Sequence, residues 1–216
     1  MYIPKHHEET DICILQSLIR THPLGAWATQ GDGELIVNHI PFLIDTSRGE
    51  LGTLVGHVAR ANNVWQFFSR TVPSVVIFQG AESYITPSWY PSKHIHGKAV
   101  PTWNYVVVHA HGLPVVIEDK AWLLKHLNEL TDTHEANQAL PWKVSDAPAE
   151  FTGRMVERIV GIEIPITRLV GKWKVSQNRS DSDKLGVVAG LLEKDDPQSR
   201  NMAILVKEQV SQDVDD

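Results

Sequence analysis

A chain of 216 residues, 42% hydrophobic and 21% charged, fits one globular domain or one domain with an appendage. Its net charge of −6 is uneven: over 193–216 seven acids face Lys194, Arg200 and Lys207, giving −4 and leaving about −2 elsewhere, so neither part offers the clustered positive face of a nucleic-acid binder. The single cysteine excludes intrachain disulfides and cysteine-based metal sites, and no apolar run approaches the roughly 18 residues of a membrane span.

Taken in chain order, the first residues, Met1-Tyr2-Ile3-Pro4-Lys5-His6-His7, have no signal-peptide pattern, and a cytoplasmic protein is expected. Apolar spacing predicts a helix over 11–20, in which Cys13 reads as a small buried hydrophobe. Segments 24–30 and 34–44 flank Gly31-Asp32-Gly33 as a hairpin, and Ser47-Arg48-Gly49 turns into a strand over 51–58. A short helix over 62–69 precedes strands at 73–79, 84–86 and 102–117, the last broken near Gly112-Leu113-Pro114. Asp119 caps a helix running through 138, with Trp122, Leu123, Leu127 and Leu130 on one face. Further helices are predicted over 146–158, 181–192 and 196–210, with a strand over 159–169 and a frayed acidic tail at the end. The pattern is mainly β with peripheral helices, an α+β chain whose antiparallel strands suit a barrel or sandwich. The domain expected is 1–192, followed by an amphipathic helix and acidic tail over 193–216.

Several constellations could carry chemistry. Between Ser88 and Tyr105, four large aromatics, fixed prolines and hydroxyl, amide and ammonium groups crowd into 18 residues. A flat ring system with polar edges and an anionic tail would use all of them; a Trp/Tyr-rich strand with a rigid turn is the plainer alternative. His57-Val58-Ala59-Arg60-Ala61-Asn62 joins a strand end to a helix start, where free N–H groups and an Arg fork suit phosphate oxygens. Asn38 and His39 sit on a strand, facing a ligand edge or satisfying each other. The segment 171–179 is dense in donors and reads as a loop over a polar ligand or a partner subunit. Eleven histidines include pairs at His6-His7, His94/His96 and His109/His111, but no acid stands at ligand spacing beside the later pairs, and Glu8 and Glu9 lie on a terminus expected to be mobile. No metal site is assigned. No nucleophile elbow, phosphate loop or dinucleotide fingerprint occurs, and no residue stands out as a catalytic acid or base.

Taken together, Asn38-His39-Ile40-Pro41, Gly56-His57-Val58-Ala59-Arg60-Ala61-Asn62, Pro87-Ser88-Trp89-Tyr90-Pro91-Ser92-Lys93, Val100-Pro101-Thr102-Trp103-Asn104-Tyr105, Pro141-Trp142 and 172–179 closely resemble the PaiB-like FMN-binding negative transcriptional regulator family. The motifs run in order from residue 1 to about 192, with departures as slight as Val175 where a Leu is usual. The resemblance implies an antiparallel split β-barrel related to pyridoxamine-phosphate oxidases and flavin reductases, homodimeric, with FMN at the subunit interface. It implies that Arg60, the amides around Ala61 and Asn62, and Lys93 or Lys174 counter the phosphate. Asn38 and His39 would then make edge contacts, Thr102, Trp103 and Asn104 would cover the ring and its pyrimidine edge, and Gln177 would reach in from the second subunit. Tyr105 and His57 are the candidates for passing a proton. The implied role is a flavin-dependent sensor or regulator of protease and sporulation genes, with no recognisable element for touching DNA directly. The alternatives are an FMN-dependent oxidoreductase using NAD(P)H or a small-molecule substrate, and a haem-binding or haem-degrading barrel.

Overall fold

The computed structural model describes residues 1–31 and 33–211. Asp32 of the expected first turn and residues 212–216 of the expected acidic tail lie outside the described residues. In chain order the strands are β1 (Glu8–Glu9), β2 (Leu24–Gly31), β3 (Glu34–Pro41), β4 (Leu43–Asp45), β5 (Thr53–Ala59), β6 (Ser74–Ile85), β7 (Thr102–Gly112), β8 (Val115–Ile117), β9 (Ile159–Pro165) and β10 (Arg168–Lys174). The helices are α1 (Ile12–Thr21), α2 (Val64–Phe67), α3 (Pro91–His96), α4 (Lys120–Glu135), α5 (Ala149–Val156), α6 (Asp181–Glu193) and α7 (Pro197–Lys207). Among the described residues no helix is long and apolar enough to cross a membrane.

The chain divides into two compact units. The first comprises Met1–Asp11, Gln79–Val108 and the chain from Val170 onward; the second comprises Ile12–Phe78 and His109–Leu169. The expected boundary at 192/193 is not one of these divisions, since α6 and α7 belong to the same unit.

In the second unit, β2 and β3 form an antiparallel hairpin from Leu24↔Pro41 to Gly31↔Glu34. The start of β6 pairs with the other edge of β2, Ala26↔Ile77 to Ala28↔Val75. Alternate residues of a strand face opposite sides, and here that places Trp27 wholly inside, 0% exposed. A second sheet, in the order β4-β5-β9-β8, is built on the long β5–β9 pair running from Thr53↔Pro165 to Ala59↔Ile159. One face carries Leu54, Val58, Val160, Ile162 and Ile164, all buried, and presses on Phe42; a Cβ at Gly56 would lie 2.9 Å from that ring. The other face carries Val55, His57, Gly161 and Glu163, which share a side because they are register partners. Helix α4 covers it, with Trp122 so close over Gly161 that a Cβ there would come within 2.3 Å of the indole. The predicted cap holds: Asp119 accepts from the Trp122 amide at 2.7 Å.

In the first unit the strands follow the order β1-β10-β7-β6. The pairs Glu8↔Lys172 and Glu9↔Gly171 make the terminus expected to be mobile an edge strand. Helices α6 and α7 bury Val187, Leu191, Met202 and Val206, and Asp196 caps α7 by accepting from the Ser199 amide. Helix α6 also seats the turn before α3: a Cβ at Gly186 would meet the Trp89 carbonyl at 2.0 Å, and one at Gly190 the Trp89 indole at 2.2 Å.

Four expectations are corrected. Cys13 is exposed, because α1 buries Leu15, Leu18 and Ile19, and a residue two positions before Leu15 points the opposite way round the helix. The strand over 159–169 is two strands, with Thr167 donating to the His111 carbonyl in the turn between them. The strand over 34–44 stops at Phe42, whose N–H donates to the Pro23 carbonyl. The segments 73–79 and 84–86 belong to one continuous strand, β6.

Candidate functional site

In the first unit a pocket of about 130 Å³ opens where β7, β10 and the loop after β10 meet the turn before α3. Its walls include Tyr90, Thr102, Asn104, Lys174, Ser176 and Arg179, and no Asp or Glu lines it. Alternation along β7 turns Asn104 inward, 1% exposed, and Trp103 outward, 52% exposed. The Asn104 amide donates to the Ser176 hydroxyl at 2.9 Å. Ser176 adopts a left-handed backbone, φ 65°, a conformation that disfavours a β-carbon by about 1–2 kcal/mol. That turn ends β10 and brings Arg179 back to the pocket.

Lys174 donates to the Thr102 hydroxyl and, at 2.8 Å, to the Trp103 carbonyl. Both acceptors are neutral. Burial, followed by the neighbouring Lys172 and Arg179 charges, holds its ammonium below the ordinary lysine range, with Tyr105 opposing. The Arg179 guanidinium stands 4.6 Å from the centre of the Tyr90 ring. Tyr90 is 1% exposed, and its hydroxyl has no hydrogen-bond partner of good geometry. Burial pushes that phenol above its ordinary value while Arg179 pulls it down. The pocket thus holds two cations without a carboxylate, a ready set of neutral donors and an orphaned phenol: the furnishings of an anion site.

The other predicted residues of this unit stand beside the pocket. Gln177 accepts from the Val175 amide, shares a hydrogen bond with His7 Nδ1 at 2.9 Å and donates to the Trp173 carbonyl, so its amide braces its own loop. Lys93 lies exposed on α3 and is not part of the lining. Trp103 packs edge-on against Tyr84, ring centres 6.1 Å apart. Tyr105 lies under Lys172, whose ammonium is 5.2 Å from the ring centre.

The remaining predictions fall in the second unit, where their donors are largely spent on the protein. The Arg60 guanidinium donates to Glu118 at 2.7 Å and to the Glu157 and Ile159 carbonyls, and lies over Trp65. The expected helix over 62–69 shortens to the four residues of α2. Asn62, two residues before α2, accepts from the Val64 amide, and its own amide donates to Asn38 at 2.7 Å. Ala61 is exposed. Asn38 and His39 cannot face one ligand together: as neighbours on β3 they point to opposite sides, Asn38 inward and His39 outward beside exposed Leu35 and Val37. The Asn38 amide nitrogen is buried without a partner, an open donor. His57 Nδ1 meets His126 Nε2 at 3.0 Å, and burial lowers both rings, His126 to about 4.

Reading by motif missed Tyr90, Ser176, Arg179, His7 and His126. The first four lay inside segments already marked as polar and aromatic, or on a terminus discounted as mobile. His126 sits in the apolar stripe of α4, where nothing in the sequence distinguishes it. Among the described residues no group of three His, Cys, Asp or Glu side chains is placed to hold a metal ion, and the His111 ring faces Arg168 at 3.1 Å.

The sequence profile of the family described as "Putative FMN-binding domain" matches residues 1–168. An uncharacterized protein of Emericella nidulans is 35% identical over 88% of this chain and 90% of its own. The protease synthase and sporulation protein PAI 2 of Bacillus subtilis is 27% identical over 99% of this chain and 100% of its own. Among solved structures, the flavocytochrome Anf3 from Azotobacter vinelandii superposes with a TM-score of 0.60 at 11% identity, over 80% of this chain and 72% of that one. The FAD and heme binding protein from Mycobacterium smegmatis gives 0.57 at 16% identity, over 78% and 73%. At these identities the two structures speak to the fold alone.

Proposed function

Because this chain belongs to the FMN-binding domain family, we propose that it works as a split-barrel homodimer holding FMN, with the flavin phosphate seated between Lys174 and Arg179. The observation that carries this reading is the pair of cations in a pocket lined by no acid. A phosphate monoester brings about −1.5 to −2 charges and three strong acceptor oxygens. Lys174 and Arg179 supply the countercharge, Thr102 and Asn104 neutral donors, and the Tyr90 hydroxyl a donor that the protein itself leaves unused. A pocket of about 130 Å³ suits a phosphate-bearing tail and falls below the ~300 Å³ at which whole-ligand pockets begin. The ring therefore rests outside it, against the exposed face of Trp103, and a second protomer covers it.

Bound FMN supplies hydride or electron transfer; the protein binds, orients and shields it. Lys174 is held in place by Thr102 and the Trp103 carbonyl, so its ammonium needs little reordering to meet an anion. Tyr105 is the group positioned to pass a proton in this unit, while His57 has one nitrogen committed to His126. Likeness to PAI 2 over nearly the whole chain supports a role as a flavin-dependent sensor or regulator of protease and sporulation-type genes.

Titrating the purified protein with FMN, followed by absorbance, tests the site. A yellow, dimeric protein is expected, and the Lys174→Met/Arg179→Ala double variant should bind at least about a hundredfold more weakly. Unchanged affinity in that variant would remove the phosphate from this pocket. A Soret band in place of flavin bands would move the reading to haem, and steady NAD(P)H consumption would make the protein an oxidoreductase.

A further inference from the structure

We propose that the cavity between α4 and the outer face of the four-stranded sheet binds an amino-acid-sized zwitterion with a large apolar side chain. This cavity, built wholly from the second unit, measures about 400 Å³, within the usual range for small-molecule pockets. Leu43, Val55 and Trp122 give it apolar walls. Its ionic groups sort themselves by partner. Glu163 holds Arg48 through two bonds of 2.6 Å, and Lys125 meets Glu129 at 3.5 Å, so those two pairs neutralise themselves.

Arg20, Asp45 and the exposed ring of His134 are what remain, and only the first two carry a full charge at neutral pH. Arg20 lines the cavity and has no carboxylate within ion-pair distance among the described residues. Asp45 spends one oxygen, Oδ1, on the amide and hydroxyl of Ser47 and leaves Oδ2 without a protein donor among the described residues. One open cation and one open carboxylate oxygen above an apolar floor complement a carboxylate and an ammonium on one small molecule. A second, independent feature points to a ligand. His126 is 1% exposed and lines the same cavity; its Nε2 meets His57, while its Nδ1 is buried without any partner. Such an orphan is costly to leave unmade, and a polar group entering the cavity would satisfy it.

Isothermal titration calorimetry of the full chain with L-phenylalanine tests the site, alongside 3-phenylpropionate, which lacks the ammonium, and 2-phenylethylamine, which lacks the carboxylate. Saturable binding of L-phenylalanine is expected, with each single-charge analogue about tenfold weaker or more. Arg20→Ala, at an exposed position with no ion pair to lose, should weaken L-phenylalanine by a similar factor. Leu43→Trp, which fills the cavity from its edge strand, should abolish it. FMN affinity should be unaltered in both, so failure here and failure of the flavin site are read separately. No saturable heat with L-phenylalanine, analogues that bind as well as it does, or an Arg20→Ala variant with unchanged affinity would each overturn the proposal.

Discussion

Two arginines of the second unit and the two cations of the first unit's pocket are treated in opposite ways. In the second, Arg48 is clasped by Glu163 and Arg60 by Glu118 and two carbonyls. In the first, Lys174 and Arg179 line a pocket with no acid at all. An arginine inside a phosphate-like motif is therefore a weak guide until its neighbours are known. A cation held by neutral acceptors costs desolvation that nothing in the protein repays, which marks it for a ligand. Removing a matched charge should injure the fold; removing an unmatched one should injure binding.

The largest effect is expected from Glu163→Ala. It leaves Arg48 and the Trp122 indole N–H without their acceptor and should cost about 3 kcal/mol in denaturant unfolding. The Arg48 hydrogen bonds hold the Glu163 carboxyl below the ordinary glutamate value. Its contribution is therefore complete above the unfolded pKa and lost as pH falls through the folded one. Wild type and Glu163→Gln should converge in stability at the acid end, and a constant gap would break the assignment.

The buried His126 gives the next effect, in a different pH window. Its ring is held neutral down to about 4 in the fold, while the unfolded chain takes up a proton near 6.5. The unfolded state then binds more protons across that interval, so stability should decline by roughly 3 kcal/mol as pH falls through it. His126→Phe should flatten that slope; a slope unchanged by the substitution would reassign it to other groups.

Lys174→Met reverses the pattern. Unfolding should be unchanged or slightly more resistant, while FMN binding weakens by roughly ten- to a hundredfold. If thermal stability dropped and affinity held, the contrast between matched and unmatched cations would fail. The smallest effect belongs to Arg60→Ala, about 1 kcal/mol of stability from a half-exposed ion pair and its carbonyl contacts, with flavin affinity little altered.

Much of this architecture was legible from periodicity and punctuation. The β2–β3 hairpin follows from alternation around Gly31 and Gly33, α4 from its Asp119 cap, and α7 from Asp196-Pro197. What periodicity hides is which of several adjacent donors faces which side, and what meets it there. Asn38 and His39 are neighbours in a motif and strangers in space. Arg60 and Lys174 look alike on paper, and only long-range pairing with Glu118 distinguishes them. Arg179 sits two residues beyond Gln177, and the left-handed turn at Ser176 decides which of them lines the pocket. Cys13 shows the converse error: apolar neighbours in sequence are not neighbours on a helix face.

Two hydrogens on α6 have a reach beyond their size. Gly186 and Gly190 contribute nothing to the pocket wall, yet their bareness lets Trp89 settle flush on the helix and carries Tyr90 with it. A methyl group at either place would lift that turn outward by about the width of a carbon atom, and the phenol would retreat with it. The depth of the anion seat is thus set from behind, by atoms that a helix does without.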